Sequence, residues 1–315
     1  MQIKSKVADF KVLSTTNDRE FAASIREDEI DILFELNGFT NDSRLKALAY
    51  KPAPIQIFWL GFPFTTGLEA MDYILLDPHV KPENANWTSE AVLEMPESWV
   101  AFDEFSAEPI SERPPMERNG FVTFGSQNSP YKLTKGTIAL WARVLKEVPG
   151  SRFLYVRPEA DSAIIRQNLS DEFAKHDVGA ERLFFVNNRK TEFSHLSFYD
   201  EFDVSLDTFP LTGGTTTCET LWMGIPVVTK YGPSIHQRLG YSHMVNLNLQ
   251  ELCADNDEDY VRIAVELAND PETLVFLRRE LPSGLQGSAI CRTQDYVQAF
   301  QKKMEMLVER HGLRS

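Results

Sequence analysis

Short apolar runs alternate with amphipathic stretches along most of the chain. Ile30-Asp-Ile-Leu-Phe-Glu-Leu36 and Pro54-Ile-Gln-Ile-Phe-Trp-Leu60 read as buried strands, the first ended by Asn37-Gly38. A strand is predicted over 10–13, a helix from Asp18 to Arg26 capped by Asn17 or Asp18, and a second helix over 42–50 stopped by Pro52. Beyond a proline-rich segment, 104–118, the alternation becomes cleaner. Strands are predicted at 120–125, 152–157, 182–186, 204–207 and 225–229. Helices near 134–148, 161–176, 192–202, 215–223 and 235–243 lie between them. After Asp255 the pattern is helical: 259–269, 271–281 and 294–311, the last with an apolar stripe of Val297, Phe300, Met304, Leu307 and Val308.

Strand–helix alternation of this kind predicts α/β architecture with parallel sheets. Two Rossmann-like domains are expected: a first over 1–115, shortened at its amino end because it supplies too few strand–helix units, and a doubly wound second over 116–315. Ligands of such sheets lie at the carboxyl ends of the strands. The loops 126–132, 187–195 and 209–217 fall there, and all are expected to border one crevice.

Leu206-Asp-Thr-Phe-Pro-Leu-Thr-Gly-Gly-Thr-Thr-Thr-Cys-Glu-Thr-Leu-Trp-Met-Gly-Ile-Pro-Val-Val-Thr229 is the richest stretch. It reads strand, glycine turn, helix, strand. A glycine turn lets backbone N–H groups approach a ligand, and the helix behind it offers unpaired donors and a positive dipole end. A phosphate or diphosphate suits that end, with Glu219 one turn in to accept from sugar hydroxyls. An ordinary βα turn with an N-capping threonine fits the same residues.

Composition narrows the partners. The 315 residues carry 32 Lys plus Arg against 46 Asp plus Glu, a net charge of -14, which argues against a nucleic-acid or anionic-membrane surface. Cys218, Cys253 and Cys291 are scattered without metal-ligand spacing, as in a protein of the reducing cytoplasm. The amino terminus has no apolar leader-like region, and no apolar stretch approaches the ~20 residues that span a bilayer. The acidic run Asp255-Asn-Asp-Glu-Asp259 resembles a metal-binding Asp-x-Asp motif, yet it opens a helix, where carboxylates suit the dipole; no metal and no cofactor are expected.

The central stretch also resembles a known family, and three further blocks match it in order: Lys51-Pro-Ala-Pro-Ile-Gln-Ile-Phe-Trp-Leu-Gly-Phe-Pro63, Phe124-Gly-Ser-Gln-Asn-Ser-Pro-Tyr-Lys132 and Trp141-Ala-Arg-Val-Leu-Lys-Glu-Val-Pro149. The family is that of the O-linked N-acetylglucosamine transferases and SPINDLY proteins, glycosyltransferase family 41. Its catalytic region has the GT-B fold and normally follows tetratricopeptide repeats. The resemblance covers about residues 28–300. It implies a protein O-glycosyltransferase that moves N-acetylglucosamine from UDP-GlcNAc to Ser or Thr hydroxyls with inversion. GDP-fucose as sugar source, and a non-catalytic nucleotide-sugar binder or fragment, stay open.

By resemblance, Lys132 faces the diphosphate and assists departure of the leaving group, and Asn128 lies in the same block. Gly214, Thr215, Thr216 and Thr217 surround the phosphates, Glu219 holds the ribose, and His195 contacts the base. Leu60, Gly61 and Pro63 border the sugar, and Arg238 is placed near the crevice, where a surface ion pair is the other reading. Departures matter too. Lys51 replaces the usual arginine, Gly214 stands where many members have histidine, Gly38-Phe-Thr40 replaces Gly-His-Thr, and Asp9 stands where an upstream histidine is expected. A chain without that upstream segment is expected to bind the nucleotide sugar but transfer it poorly.

Overall fold

A computed structural model describes residues 5–13, 16–103, 111–189 and 195–313. The chain divides into two compact units, 1–76 with 85–94 and 305–315, and 77–84 with 95–304.

The first unit holds β1 (Ile32–Glu35), β2 (Ile55–Phe58), β3 (Tyr73–Leu76) and β4 (Ala91–Glu94), all parallel and in that spatial order. Helix α1 (Asp18–Glu27) opens with a capping box between Asn17 and Glu20 and buries Ala22 and Ile25. A single turn, α2 (Leu45–Leu48), is all that forms of the helix predicted over 42–50. Residues 10–13 form no strand. Conversely β3, buried along its whole length, and β4 escaped the sequence reading because Tyr-Ile-Leu-Leu and Ala-Val-Leu-Glu are too short to show a period.

In the second unit β5 (Thr123–Ser126), β6 (Arg152–Val156), β7 (Leu183–Val186), β8 (Val204–Leu206), β9 (Val227–Lys230) and β10 (Cys253–Ala254) form one parallel sheet. Their order, β10-β9-β8-β5-β6-β7, reverses between β5 and β8, the switch point at which doubly wound sheets open a crevice. The helices of this unit are α3 (Pro115–Asn119), α4 (Lys135–Glu147), α5 (Ala163–Ala174), α6 (Thr215–Trp222), α7 (Leu239–Asn246), α8 (Asp257–Ala268), α9 (Pro271–Gly287) and the part of α10 (Thr293–Arg310) up to residue 304, the rest of which belongs to the first unit. Trp141 of α4 is fully buried, 4.8 Å from the Phe153 ring, which lies 5.5 Å from Phe173 of α5. This aromatic row fixes two helices on one face of the sheet.

The units divide elsewhere than after residue 115, for a physical reason. Asp77 is buried and accepts from the amides of His79, Val80 and Trp99 and from Ser242 Oγ of α7 at 2.6 Å, which ties 77–80 and 98–100 into the second unit. The carboxyl end of the proline-rich segment is likewise packed. Buried Arg278 donates to the carbonyls of Ser111 and Phe202, and Asp203 accepts from Met116 N and Thr123 N. Residues 104–110 of the expected linker lie outside the described residues. On α10 the predicted stripe holds for Leu307, which is buried, and for Phe300, Met304 and Val308, which are half-buried, but its first member is Tyr296, buried, in place of Val297, which is 46% exposed. The helix expected over 235–243 begins as a 3₁₀ turn, Ile235–Gln237, and only then becomes α7.

Candidate functional site

At the switch point the two carboxyl-end loops are joined by one acid. Asp207, 3% exposed, follows β8; its Oδ1 accepts from Thr208 N and Gly213 N, both at 2.8 Å, and from Asn128 Nδ2 at 3.3 Å. Its Oδ2 accepts from Thr229 Oγ1 at 2.7 Å, and its main-chain carbonyl from Trp141 Nε1 and Tyr260 OH. Burial pushes the carboxyl up, opposed by the Lys132 charge and these donors. Two glycines make room for it. A Cβ at Gly240 would lie 2.7 Å from Oδ2, and one at Gly213 would lie 3.2 Å from Oδ1 and 2.2 Å from Thr217 Oγ1.

Lys132 ends a 3₁₀ turn, Pro130–Lys132, begun by the φ that proline imposes. Its Nζ donates to Asn128 Oδ1 at 3.1 Å and to the Thr212 carbonyl at 2.9 Å. An ammonium has three N–H bonds, so one remains for a ligand oxygen after those two. Burial lowers its pKa, and the Asp207 charge pulls it back. Asn128 is itself held, its carbonyl accepting from Tyr155 OH at 3.0 Å. The lysine is thus aimed by the loop after β5 at the loop after β8.

Helix α6 starts behind Gly214 without a side-chain cap. Thr217 N and Cys218 N donate to the Gly214 carbonyl, at 3.0 and 3.2 Å, which leaves the amides of Thr215 and Thr216 as the donors of the helix start, an arrangement that favours an anion. Thr215 is exposed, Thr216 half-buried, and Thr217 buried beneath Gly213. Glu219, one turn in, is half-buried and accepts at Oε2 from Tyr199 OH at 3.3 Å. Cys218 points the other way, its Sγ 3.7 Å from His243 Nε2; that imidazole is stacked on Trp99 with centroids 6.3 Å apart. Burial lowers the His243 pKa to about 4.

Asn128, Lys132, Gly214, Thr215, Thr216, Thr217 and Glu219 are therefore gathered at the ends of β5 and β8. The other expected residues are not all gathered with them. Arg238 is committed elsewhere: Nε donates to His79 O at 2.7 Å, Nη1 to Gly232 O at 2.9 Å, and the guanidinium lies over the Tyr241 ring at 5.1 Å. It clasps 79–83 rather than presenting itself to the crevice, a role nearer the ion-pair reading. The loop after β7 leaves the sheet two strands from β5, not at the switch point; its Asn187 donates to Asp161, and 190–194 lie outside the described residues. His195 begins the 3₁₀ turn His195–Glu201, and its side chain also lies outside them.

Leu60, Gly61 and Pro63 belong to the first unit, after β2. Leu60 is 47% exposed with φ +70°. Gly61 has a local reason to lack a Cβ, which would lie 2.7 Å from the Asn37 carbonyl carbon. The loops after β1 and β2 are thus packed backbone to backbone, and buried Glu35 accepts from Asn37 N and Gly38 N. Asp9 is exposed and accepts from its neighbour Phe10 N.

Asp207, Thr212 and Tyr199 went unread in the sequence. The available signal was Asp207 itself, an acid closing an apolar strand six residues before a glycine pair, where burial demands partners. The acidic run before α8 is used as a helix start: Asn256 caps it, Asp257 pairs with Lys230 and Asp259 with Arg262. No cluster of three or more His, Cys, Asp or Glu arranged to hold a metal occurs among the described residues, and none of their helices is long and apolar enough to cross a membrane.

The fold and this site define a glycosyltransferase of the GT-B class. The structure superposes on an O-GlcNAc transferase mutant from Thermobaculum terrenum with TM-score 0.86 and 28% identity, over 99% of this chain and 58% of that one. A sucrose-phosphate synthase from Thermosynechococcus elongatus shares the fold at TM-score 0.53 and 12% identity, over 88% of this chain and 68% of its own. The chain belongs to glycosyl transferase family 41, whose model matches residues 1–107 and 116–300. It is 34% identical over 298 residues to a probable UDP-N-acetylglucosamine–peptide N-acetylglucosaminyltransferase SPINDLY of Petunia hybrida, covering 94% of this chain and 32% of that protein. It is 29% identical to the similarly named SEC of Arabidopsis thaliana, over 89% of this chain and 29% of that protein. The chain spans about a third of the length of these curated relatives.

Proposed function

We propose that this chain is the catalytic region of a protein O-glycosyltransferase that transfers N-acetylglucosamine from UDP-GlcNAc to Ser or Thr hydroxyls, with inversion. The observation that carries it is the Lys132 ammonium, held by Asn128 and Thr212 beside the uncapped start of α6. In that reading the third N–H of Lys132 and the amides of Thr215 and Thr216 bind the diphosphate. They stabilise the charge that grows on it as the glycosidic bond breaks. Thr215 and Thr216 add hydroxyls, and Glu219, steadied by Tyr199, accepts from the ribose. Leu60, Gly61 and Pro63 supply the sugar-side loop, and His195 the base contact. No metal takes part in this reading, and its setting is the cytoplasm, in keeping with three cysteines that are not joined in disulfides.

A second sugar source, GDP-fucose, is favoured by one feature: Gly214-Thr-Thr-Thr-Cys-Glu219, with glycine in place of histidine, is the form that resembles the SPINDLY proteins more closely. Incubating the chain with a Ser/Thr peptide library and UDP-GlcNAc or GDP-fucose, with mass spectrometry as readout, tests the reading. Addition of N-acetylhexosamine is expected, at the low rate anticipated for a chain lacking the upstream segment. Addition of deoxyhexose alone would replace the UDP-GlcNAc assignment, and hydrolysis or transfer to non-hydroxyl acceptors would overturn both.

A further inference from the structure

Tyr155 stands on β6 opposite Ser126, the last residue of β5. Its side chain is fully buried, and its hydroxyl reaches past the end of β5 to donate to the Asn128 carbonyl at 3.0 Å. Asn128 lies two residues beyond the paired register and is 4% exposed, so neither the ladder nor open solvent meets that acceptor. An aliphatic residue at 155 would leave it without a donor. Burial pushes the Tyr155 pKa up, which keeps the hydroxyl protonated and donating at neutral pH.

The same asparagine joins the two halves of the site. Its Oδ1 accepts from Lys132 Nζ at 3.1 Å, and its Nδ2 donates to Asp207 Oδ1 at 3.3 Å. Where those two atoms sit depends on how the backbone of 128 is held. Its amide makes only a long contact, 3.4 Å to Ser126 Oγ, so the tyrosine hydroxyl is the firmer tie to the sheet. The remaining grip on Lys132, the Thr212 carbonyl, comes from the loop after β8 and fixes the ammonium from one side alone. A line of contacts thus runs from the interior of the sheet through Asn128 to the Lys132 ammonium.

We propose that Tyr155 is a positioning residue for the diphosphate: by fixing the Asn128 backbone it aims the remaining N–H of Lys132 at the phosphate, without touching the ligand itself. The inference rests on the nucleotide-sugar reading of this site and adds to it a residue that acts through another. A ring locked by close packing suits the task, since its hydroxyl is a fixed point from which a loop can be hung.

Calorimetric titration of the full chain with UDP and GDP, each beside its nucleoside, tests it in wild type, Tyr155→Phe, Lys132→Ala and the double variant. Phenylalanine keeps the buried ring and removes only the hydroxyl. Tyr155→Phe is expected to weaken the preferred diphosphate about three- to tenfold, the range of one neutral hydrogen bond, with nucleoside binding unchanged. In the Lys132→Ala background the same substitution should change diphosphate affinity less than about twofold, because the group it positions is gone. A merely structural role would weaken the diphosphate by the same factor in both backgrounds, or weaken the nucleoside as much, and either result would overturn the proposal. Wild-type affinity for diphosphate in Tyr155→Phe would overturn it while leaving the site reading intact. Failure of the wild-type chain to bind either diphosphate would remove both.

Discussion

Asp207 shows how one buried carboxylate organises a site that no motif announces. Both loops at the switch point hang on it, and an unpaired charge there would be costly. Asp207→Ala should therefore destabilise the chain by about 3–5 kcal/mol in urea denaturation, the range for stripping a partner from a buried polar cluster. His243 offers a second test at this scale. Its folded pKa, about 4, lies below the ordinary 6.5, so the neutral ring contributes stability that is complete above pH 6.5 and lost as pH falls toward 4. The advantage of wild type over His243→Gln should shrink by roughly 2–4 kcal/mol between pH 7 and pH 4. A pH-independent difference would show that the ring is not buried neutral. Lys132, Asn128 and Glu219 could be picked out in the sequence because a motif carries them. Tyr199 could not, and Asp207, though inside the motif and closing an apolar strand, shows its role only through burial and partners from distant segments.

Among the elements, legibility followed length and periodicity. Helix α4, 13 residues with its apolar face inward, and the βαβ run β8–α6–β9 were readable, since a glycine pair and a β-branched strand bound the helix. The four-residue β3 and β4 and the two-residue β10 carry no period to read, and their pairing comes from the sheet. The run 10–13 has strand composition but forms no strand. Gly213 links sequence to element most sharply: its missing Cβ leaves the room that Thr217 Oγ1 and Asp207 Oδ1 occupy beside the start of α6. Gly213→Ala should push the first turn of α6 outward. It should cost about 1–3 kcal/mol of stability, the range for overpacking, and weaken nucleotide binding more than Gly214→Ala, where only a Leu239 methyl lies near, at 3.9 Å. Thermal denaturation and calorimetry of the two variants check the order.

At the scale of the whole molecule, the sequence conveyed α/β class and the family resemblance but not the unit boundary. Proline content marked 104–118, whereas side chains such as Asp77 and Arg278 tie the segments on either side into the second unit, and such ties leave no local signature. Since Lys132 and α6 supply the charge for the diphosphate in this account, EDTA should leave nucleotide affinity unaltered, and a clear requirement for Mg²⁺ or Mn²⁺ would contradict it. The central claim is that Lys132 is the diphosphate ligand at this switch point. Calorimetric titration of UDP into wild type and Lys132→Ala tests it most directly. The account predicts saturable binding to wild type and a loss of on the order of 1.5–3 kcal/mol in the variant at unchanged fold, the scale of a charge-assisted hydrogen bond. Equal affinities in the two proteins would contradict it.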